Sequence, residues 1–370
     1  MSFLKKTKYL FLICLLILIV SASVAVASLD TITAGQPLPQ PKIVKDRPLY
    51  VGVLFVNLTS ESSQRNWVQL QIEAEHRGWK LETILDADSS DRRRDGIENF
   101  LNLGVDSIII NNTPMEEIKD LIIEARKEGI GIYNIDTELR DGVIVNSTQP
   151  NGVVGAKMFY YGLNRLRGQG KMIMYDMTEH ILRRRCYAVE GLVKNDWPSL
   201  ELLAYDHLPY AERYKAAFDF TANYITKYGN EIDWIFAGWD TIGITAARAV
   251  EQAGFTKDDI FVTGIDGGKQ AFGEIRKGSP FVATMTQPFE LYTHTTCEVV
   301  NQVQVEGVGI GEEGSMVPVS RVIYLEPAAT DITNLPPIGS SIHEIFATTY
   351  YDPNKKDAWY FWGEPYRITE

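Results

Sequence analysis

The sequence has 370 residues, of which 36 are lysine or arginine and 48 are aspartate or glutamate, so its formal net charge is −12. That length exceeds what one hydrophobic core usually holds, so two domains are expected. The acidic balance argues against nucleic acid or an anionic membrane surface as a partner. The five histidines have no metal-ligand spacing, and neither a metal site nor a cofactor is predicted.

The first 27 residues have the pattern of a secretory signal. Three lysines precede an apolar run over residues 9–20, and small residues up to Ala27 suit a signal peptidase. We predict a signal peptide over residues 1–27, whose removal changes the net charge from −12 to −15. The mature protein is then periplasmic or otherwise extracytoplasmic. An uncleaved anchor is the alternative, because the apolar stretch approaches the ~20 residues that span a bilayer.

Residues 28–47 contain several prolines and are predicted to be an extended linker. Beyond it, apolar runs rich in β-branched residues alternate with helical patterns that often end at glycine. The predicted strands cover residues 49–56, 80–85, 107–110, 130–135 and 143–145, and then 171–175, 200–205, 232–237, 260–264, 281–285 and 319–325. Such apolar strands joined by helices predict parallel sheets covered on both faces.

The predicted mature chain keeps two cysteines, Cys186 and Cys297. An oxidising compartment would permit a disulfide, but two cysteines make no disulfide framework. Buried, unpaired thiols are therefore favoured over a pair.

Residues 331–370 form an aromatic tail in which no further strand and helix alternation is evident. One interpretation is a strap packed along the rest of the protein. The other is a docking surface for another protein, since tryptophan and tyrosine are favoured at interface hot spots.

Three well-separated strands each end in an aspartate, namely Asp136, Asp240 and Asp266. Ligands of doubly wound sheets bind at such carboxyl ends. An ionised carboxylate accepts several short hydrogen bonds from hydroxyl groups. The pattern predicts a ligand-binding cleft built from strand ends, and the alternative for each aspartate is capping of the next helix.

Four motifs in chain order carry a resemblance to a known family: Asn134-Ile-Asp136, Phe236-Ala-Gly-Trp-Asp240, Gly264-Ile-Asp-Gly267 and Ala283-Thr-Met-Thr-Gln287. With the alternation around them, the chain resembles the type I periplasmic binding proteins, specifically the ribose-binding-like group. The resemblance implies an α/β fold of two Rossmann-like lobes with parallel sheets, joined by a three-segment hinge. It divides the chain into an N-terminal lobe at 48–147 plus 288–316 and a C-terminal lobe at 148–287 plus 317–330. The last predicted strand, 319–325, would return to the second lobe.

The resemblance also implies ligand contacts for Asp136, Asp266 and the hinge glutamine Gln287. Where sugar binders carry arginine after the first aspartate, this chain has Thr137, and where they carry Asn-Asp it has Trp239 and Asp240. The full set of predicted ligand contacts is Ser60, Ser63, Gln64, Asp136, Thr137, Arg184, Arg185, Trp239, Asp240, Asp266 and Gln287.

Ser62 and Ser63 stand where the family usually places two phenylalanines that sandwich the sugar. A polar ligand stacked on the single indole of Trp239 is therefore favoured over a sugar held between two rings. An arginine contact is implied within the run Arg183, Arg184 and Arg185, in a register that the sequence leaves open.

These observations predict an exported receptor, monomeric when free, that closes by hinge motion on a small sugar-like or polar ligand and presents it to an ABC permease. Residues 63–66 and 264–268 loosely resemble the bacterial autoinducer-2 receptor, so a membrane histidine kinase is the alternative partner. No nucleophile with its base, metal cluster or phosphate loop is visible, so an enzyme is not predicted.

Overall fold

The computed structural model describes residues 38–177, 180–209 and 211–369. The predicted signal peptide and the first part of the predicted linker lie outside the described residues. The chain divides into two compact units, the first ending at Thr148 and resuming over Leu291–Ile323, the second comprising Gln149–Glu290 and Tyr324–Glu370. The chain therefore passes from one unit to the other three times.

The first unit contains a six-stranded sheet. Its strands are β1 (Tyr50–Phe55), β2 (Lys80–Ile84), β3 (Ser107–Asn111), β4 (Gly131–Ile135), β5 (Val145–Thr148) and β11 (Val322–Tyr324). Their spatial order is β11-β5-β4-β3-β1-β2, and the pairs from β5 to β2 are parallel. The helices α1 (Glu61–Arg77), α2 (Ser90–Leu103) and α3 (Lys119–Lys127) lie between successive strands. All residues of β3 and β4 are buried, as expected for strands covered on both faces.

The second unit also contains a six-stranded sheet. Its strands are β6 (Gly170–Met177), β7 (Leu200–Leu208), β8 (Trp234–Ala237), β9 (Phe261–Asp266), β10 (Phe281–Thr286) and β12 (Ala328–Asp331), in the order β12-β10-β9-β8-β6-β7. The helices are α4 (Asn151–Arg165), α5 (His180–Asn195), α6 (Arg213–Tyr228), α7 (Asp240–Gln252) and α8 (Lys269–Lys277). The helix α9 (Phe289–Asn301) begins in this unit and continues into the first, where a π-helical turn, Gln302–Glu306, follows it.

The side chains of each central strand in the second unit alternate between two separate hydrophobic clusters. Ile173 and Tyr175 pack with residues of α6, α7 and α8, whereas Met172 and Met174 pack with residues of α4 and α5. This alternation follows from the two-residue period of a strand. It explains why the strands are apolar at nearly every position rather than at every second one.

The prediction for the last strand was wrong in its sheet assignment. Residues 319–325 were expected to return to the second lobe, but β11 lies beside β5 in the first sheet. Arg321 holds this segment there, because its carbonyl accepts from the Asn146 amide at 2.9 Å and its Nη1 donates to the Val143 carbonyl at 2.9 Å. The strand that joins the second sheet is β12, antiparallel to β10, after Pro327 has interrupted the run.

The aromatic tail is part of the second unit. Ile342 and Ile368 are fully buried against Phe272 of α8, and an antiparallel bridge joins Ser341 to Arg367. Two short 3₁₀ segments, Ile342–Phe346 and Trp359–Phe361, carry many of its rings. These contacts favour the strap interpretation for the body of the tail.

A close approach between α4 and β8 requires a glycine. Trp234 is fully buried, stacks on Phe261 with ring centroids 5.7 Å apart, and donates from Nε1 to Thr263 Oγ1 at 3.0 Å. A Cβ at Gly162 would lie 2.3 Å from an indole carbon of Trp234. Any larger residue at this position therefore displaces either the helix or the indole.

We expect Gly162→Ala to lower the free energy of unfolding by roughly 1–3 kcal/mol, because neither the stacked indole nor the packed helix can give way without strain. The matched control is Gly191→Ala in α5, where a Cβ meets nothing within 4 Å. That change should leave stability equal or raise it by up to about 1 kcal/mol through helix propensity. Urea denaturation of both variants measures the difference, and equal midpoints would contradict the packing argument.

Candidate functional site

Asp266, the last residue of β9, is the centre of a polar cluster in the second unit. Arg185 of α5 donates from Nη1 to Asp266 Oδ1 at 3.1 Å, and Gln287, which follows β10, donates from Nε2 to the same oxygen. The Asp266 side chain is 15 % exposed, whereas that of Arg185 is 3 % exposed. The carboxylate is thus the accessible member of a pair whose guanidinium is buried.

The backbone of Asp266 is strained. Its φ of 136° lies in a region that residues with a Cβ rarely adopt. Such outliers cost on the order of 1–3 kcal/mol and persist where the surrounding structure determines them. Here the two side-chain donors to Oδ1 and the following turn fix the conformation.

Arg185 is positioned by two hydrogen bonds besides the one to Asp266. Its Nε donates to Asn151 Oδ1 at 2.8 Å and its Nη1 to the Gly238 carbonyl at 2.7 Å. Helix α5 reaches this place because Gly155 of α4 has no side chain, and a Cβ there would lie 2.1 Å from the Arg185 carbonyl oxygen. Within the predicted arginine run, Arg184 is exposed, whereas Arg185 is buried and bonded to Asp266.

Asp240 is the first residue of α7, and its carboxylate reaches across to the turn after β9. Its Oδ2 accepts from the amides of Gly267 at 2.7 Å and Gly268 at 3.2 Å, and its Oδ1 accepts from the Thr284 hydroxyl at 2.7 Å. Gly264 leaves room for this carboxylate, because a Cβ there would lie 2.4 Å from Oδ1. Asp240 therefore fixes the turn that carries Asp266, and it does not cap its own helix.

Burial raises the pKa of Asp240 to about 7, and the nearby charge of Asp266 adds to this effect. Burial also raises the pKa of Asp266, while the Arg185 guanidinium and the hydrogen bond from Gln287 oppose that rise. A side-chain hydrogen bond from Trp239 favours the ionised form of Asp266 in the same way. The two carboxyl groups thus have different environments, because the Arg185 guanidinium lies beside Asp266.

Trp239 stands at the N-cap position of α7 and is half-buried. The guanidinium of Arg213, the first residue of α6, lies 5.5 Å from the centre of the Trp239 ring. This cation–π contact holds the indole beside Asp266. Arg213 had no sequence signal, because it belongs to no motif and follows an ordinary loop.

In the first unit, the predicted serine loop forms the start of α1. Ser60 is the N-cap, since its Oγ accepts from the Ser63 amide at 3.2 Å, and it also donates to Ser63 Oγ at 2.9 Å. Ser63 is buried and bonded to Asn111 Oδ1 at 3.4 Å. Gln64 is exposed and donates to the Leu58 carbonyl at 2.8 Å.

Asp136 follows β4 in the same unit with a φ of 47°, and its Oδ1 accepts from the Thr148 hydroxyl at 2.8 Å. Thr137 is buried, and its hydroxyl donates to the Thr113 carbonyl at 2.7 Å and accepts from the Thr113 amide at 3.2 Å. Asn111 links the two loops, because its Nδ2 donates to the Ile135 carbonyl at 3.0 Å. The first unit thus brings Ser60, Ser63 and Asp136 to one end of its sheet, with Thr137 joining neighbouring loops.

Other chemistry-bearing groups have structural surroundings. Cys186 and Cys297 are both buried and free, as predicted, and burial raises the pKa of each thiol. No group of three or more metal-binding side chains occurs among the residues that the structure describes. None of the helices within 38–177, 180–209 and 211–369 combines the length and apolar character needed to cross a membrane.

A family model described as a periplasmic binding protein domain matches residues 53–305, more than half of the chain. This chain belongs to the periplasmic binding protein family. The family resemblance predicted from the four motifs is confirmed.

Two curated proteins named for ligand binding are similar to the chain. The xylitol-binding protein of Mycolicibacterium smegmatis is 25% identical over 195 residues, which cover 52% of this chain and 54% of that protein. The ribose import binding protein of Bacillus subtilis is 23% identical over 245 residues, covering 63% of this chain and 74% of that protein. The chain thus spans about half the length of the first relative and three quarters of the second.

Solved structures support the fold. The 5-methylthioribose transporter solute binding protein of Thermotoga lettingae superposes with a TM-score of 0.68 at 18% identity, covering 83% of this chain and 94% of that one. The Caulobacter myo-inositol binding protein superposes with a TM-score of 0.66 at 17% identity, covering 79% of this chain and 96% of that one. The predicted two-lobe α/β fold of the type I proteins is confirmed.

The raised pKa of Asp240 makes stability depend on pH in a defined direction. Its pKa rises from an ordinary 3.8 to about 7 in the folded protein, so the folded state keeps a proton that the unfolded chain releases. Between about pH 4 and pH 7 the folded state therefore binds more protons, and this contribution to stability falls as pH rises.

Asp240→Asn should remove this contribution. From pH 4 to pH 7, the unfolding free energy of the wild type should fall by up to about 4 kcal/mol relative to that of Asp240→Asn. Above pH 7 the difference between the two proteins should stay constant. Urea titrations at several pH values measure it. The control Asp258→Asn changes an exposed carboxylate and should run parallel to the wild type; parallel behaviour of Asp240→Asn would contradict the assignment.

Proposed function

We propose that the protein is an exported solute-binding receptor that captures a small polyhydroxylated ligand and delivers it to an ABC permease. Family membership supports a binding role. The relatives named for xylitol binding and for ribose import support a sugar or polyol as the ligand class. The import relative also favours transport over the sensor-kinase alternative.

The observation that carries the ligand class is the state of Asp266. Its carboxylate is oriented by Arg185 and Gln287, retains 15 % exposure, and has a guanidinium to keep it ionised. An oriented, ionised carboxylate accepts two short hydrogen bonds at once, which suits neighbouring hydroxyl groups of one ligand. Because the side chains around Asp266 are mostly buried, the local dielectric constant is low and each such hydrogen bond is strengthened.

The other proposed contacts follow the same logic. Trp239 is held beside Asp266 and supplies an aromatic face against which the C–H groups of a polyol can pack. In the first unit, Asp136 and the loop of Ser60, Ser63 and Gln64 would add acceptors and hydroxyl groups. Arg184 and Thr137 are the weakest members of the set, since one is exposed and the other bonds to Thr113.

Asp240 acts in this proposal through Asp266. Both of its carboxylate oxygens already accept hydrogen bonds from the turn or from Thr284. It is therefore a positioning residue, and the proposal does not require Asp240 to contact the ligand. Substitutions at Asp240 should lower affinity only as far as they move the turn.

A thermal-shift screen against pentitols, pentoses, hexoses, inositols and 5-substituted riboses tests the ligand class. A ligand present at 100 times its dissociation constant adds about 2.7 kcal/mol of stability, which for a protein of this size is a rise in melting temperature of roughly 3–5 °C. We expect at least one polyol or sugar to give such a shift. A protein indifferent to all of them, but stabilised by an amino acid or a nucleobase, would overturn the proposed class.

Asp266→Asn tests the site with the ligand found in that screen. Losing the charge of an oriented acceptor should weaken binding by roughly 10- to 100-fold in calorimetric titration. The matched control is Asp258→Asn, which removes the same charge from an exposed position just before β9, at the opposite end of the strand from Asp266. Wild-type affinity in Asp266→Asn would show that this cluster is not where the ligand binds.

A further inference from the structure

The C-terminal segment contains a cavity that the proposed sugar site does not explain. Its volume is about 660 Å³, within the range of small-molecule sites. Its lining comes entirely from residues 338–367, and the side chains that matter here are Glu344, Tyr351, Tyr360, Phe361, Glu364 and Arg367. Residues 338–367 lie in the second unit and belong to none of its sheets.

Three aromatic rings form one continuous wall of this cavity. The centroids of Tyr351 and Tyr360 are 5.0 Å apart, those of Tyr360 and Phe361 are 5.1 Å apart, and those of Tyr351 and Phe361 are 6.0 Å apart. Their planes are inclined by 47° to 59°, so the rings do not stack and hide one another's faces. Such a wall offers both apolar area and the negative potential of ring faces.

The charges in the lining are unequal. Glu364 has a partner in Arg367, at 3.5 Å, and Arg367 also donates to the Gly339 carbonyl at 3.0 Å. Glu344 is half-buried, and its carboxylate has no hydrogen bond or ion pair with any residue in the described part of the chain. Among the lining side chains that the structure describes, Glu344 is therefore the charged group without a partner.

The same segment already holds ammonium groups on its aromatic faces. Lys269 Nζ lies 4.1 Å from the centre of the Tyr366 ring, and Lys356 Nζ lies 4.8 Å from the centre of the Phe361 ring. Glu344 lines the same cavity as Tyr351, which places its carboxylate beside the wall. After burial, the charge of Glu344 contributes to the raised pKa of Tyr351. An anionic ligand would meet an unfavourable field there, whereas an organic cation would find both an aromatic face and a counter-ion.

The geometry points to a second binding site in the C-terminal segment, which takes an alkylammonium group. The charge of the ligand pairs with Glu344, and its carbon atoms lie against Tyr351, Tyr360 and Phe361. The site is independent of the proposed sugar site. Its occupant is either a free amine or a lysine side chain presented by a partner protein, which share this chemistry.

Calorimetric or NMR titration of the purified protein with n-butylammonium and with its neutral counterpart n-butanol tests the charge requirement. We expect saturable binding of the ammonium and at least tenfold weaker binding of the alcohol. Glu344→Gln should weaken ammonium binding by about five- to thirtyfold. The control Glu313→Gln removes the same charge from an exposed position in the first unit and should bind as the wild type does.

Phe361→Leu provides a second variant that keeps Glu344 and narrows the aromatic wall; about a threefold or larger loss is expected. The thermal shift caused by the sugar or polyol ligand should be unchanged in Glu344→Gln, which separates this site from the proposed transport function and verifies folding. Equal binding of n-butylammonium and n-butanol, or wild-type affinity in Glu344→Gln, would overturn the inference. So would saturable binding of neutral sugars at this pocket with no binding of amines.

Titration with N-acetyl-lysine amide and with a lysine-centred pentapeptide distinguishes the two sources. Peptide affinity tenfold or more above that of n-butylammonium would assign the pocket to a protein partner. Equal or lower peptide affinity would assign it to a free amine. Either result supports an alkylammonium site, because in both the ammonium group is the part that is recognised.

Discussion

The buried carboxylate of Asp240 is the constraint on which the candidate site of the second unit depends. Removing a carboxylate from water is costly unless hydrogen bonds replace the lost hydration. Three donors do so here, the amides of Gly267 and Gly268 and the hydroxyl of Thr284. Because those amides belong to the turn after β9, satisfying Asp240 also fixes the direction in which Asp266 leaves the sheet.

A second buried carboxyl nearby creates an electrostatic problem, which the structure meets with Arg185. Burial raises the pKa of both aspartates, and at Asp240 the nearby charge of Asp266 adds to that rise. Only Asp266 has a guanidinium beside it, so the negative charge is concentrated on the carboxylate that retains some exposure. The neighbouring Asp240, without a cation, can hold its proton in neutral solution. In the proposed function, this asymmetry makes Asp266 the group that binds the ligand and Asp240 the group that positions it.

Several features of this arrangement were predictable from the sequence. The strand-end positions of Asp136, Asp240 and Asp266 followed from short apolar runs that stop at an acidic residue, because such runs, rich in β-branched and aromatic residues, are typical of buried strands. The alternation of the two units and the family followed from the same runs and their order. The need for glycine in the Gly-Ile-Asp-Gly motif was visible as a pattern, although its cause, room for the Asp240 carboxylate beside Gly264, required coordinates.

The rest depended on contacts between residues far apart in the chain. Gly155 and Arg185 are thirty positions apart, and nothing local in either helix indicates that their backbones touch. Arg213 lies in an ordinary helix start, and its place over Trp239 is set by how α6 packs. The last strand was assigned to the wrong sheet because 319–325 was the only strand predicted in this part of the chain. The strand within that range, β11, lies in the first sheet, and β12, which follows Pro327, is the one that joins the second.

The C-terminal segment, which has no sheet, shows the same need for buried polar groups to have hydrogen-bond partners. Ile342 and Ile368 bury its two ends against Phe272, so the 25 residues between them form a closed loop whose polar groups must be satisfied locally. Most are, as Asp352 and Tyr360 show, with the Tyr360 hydroxyl accepting from the Asp352 amide and donating to its carbonyl at 3.1 Å each. Glu344, in the lining of the cavity, has no such partner among the described residues, and the natural complement of its charge is an external cation. Asp266 differs in this respect, because its charge is already partly compensated by Arg185, and so it suits hydroxyl groups rather than ammonium.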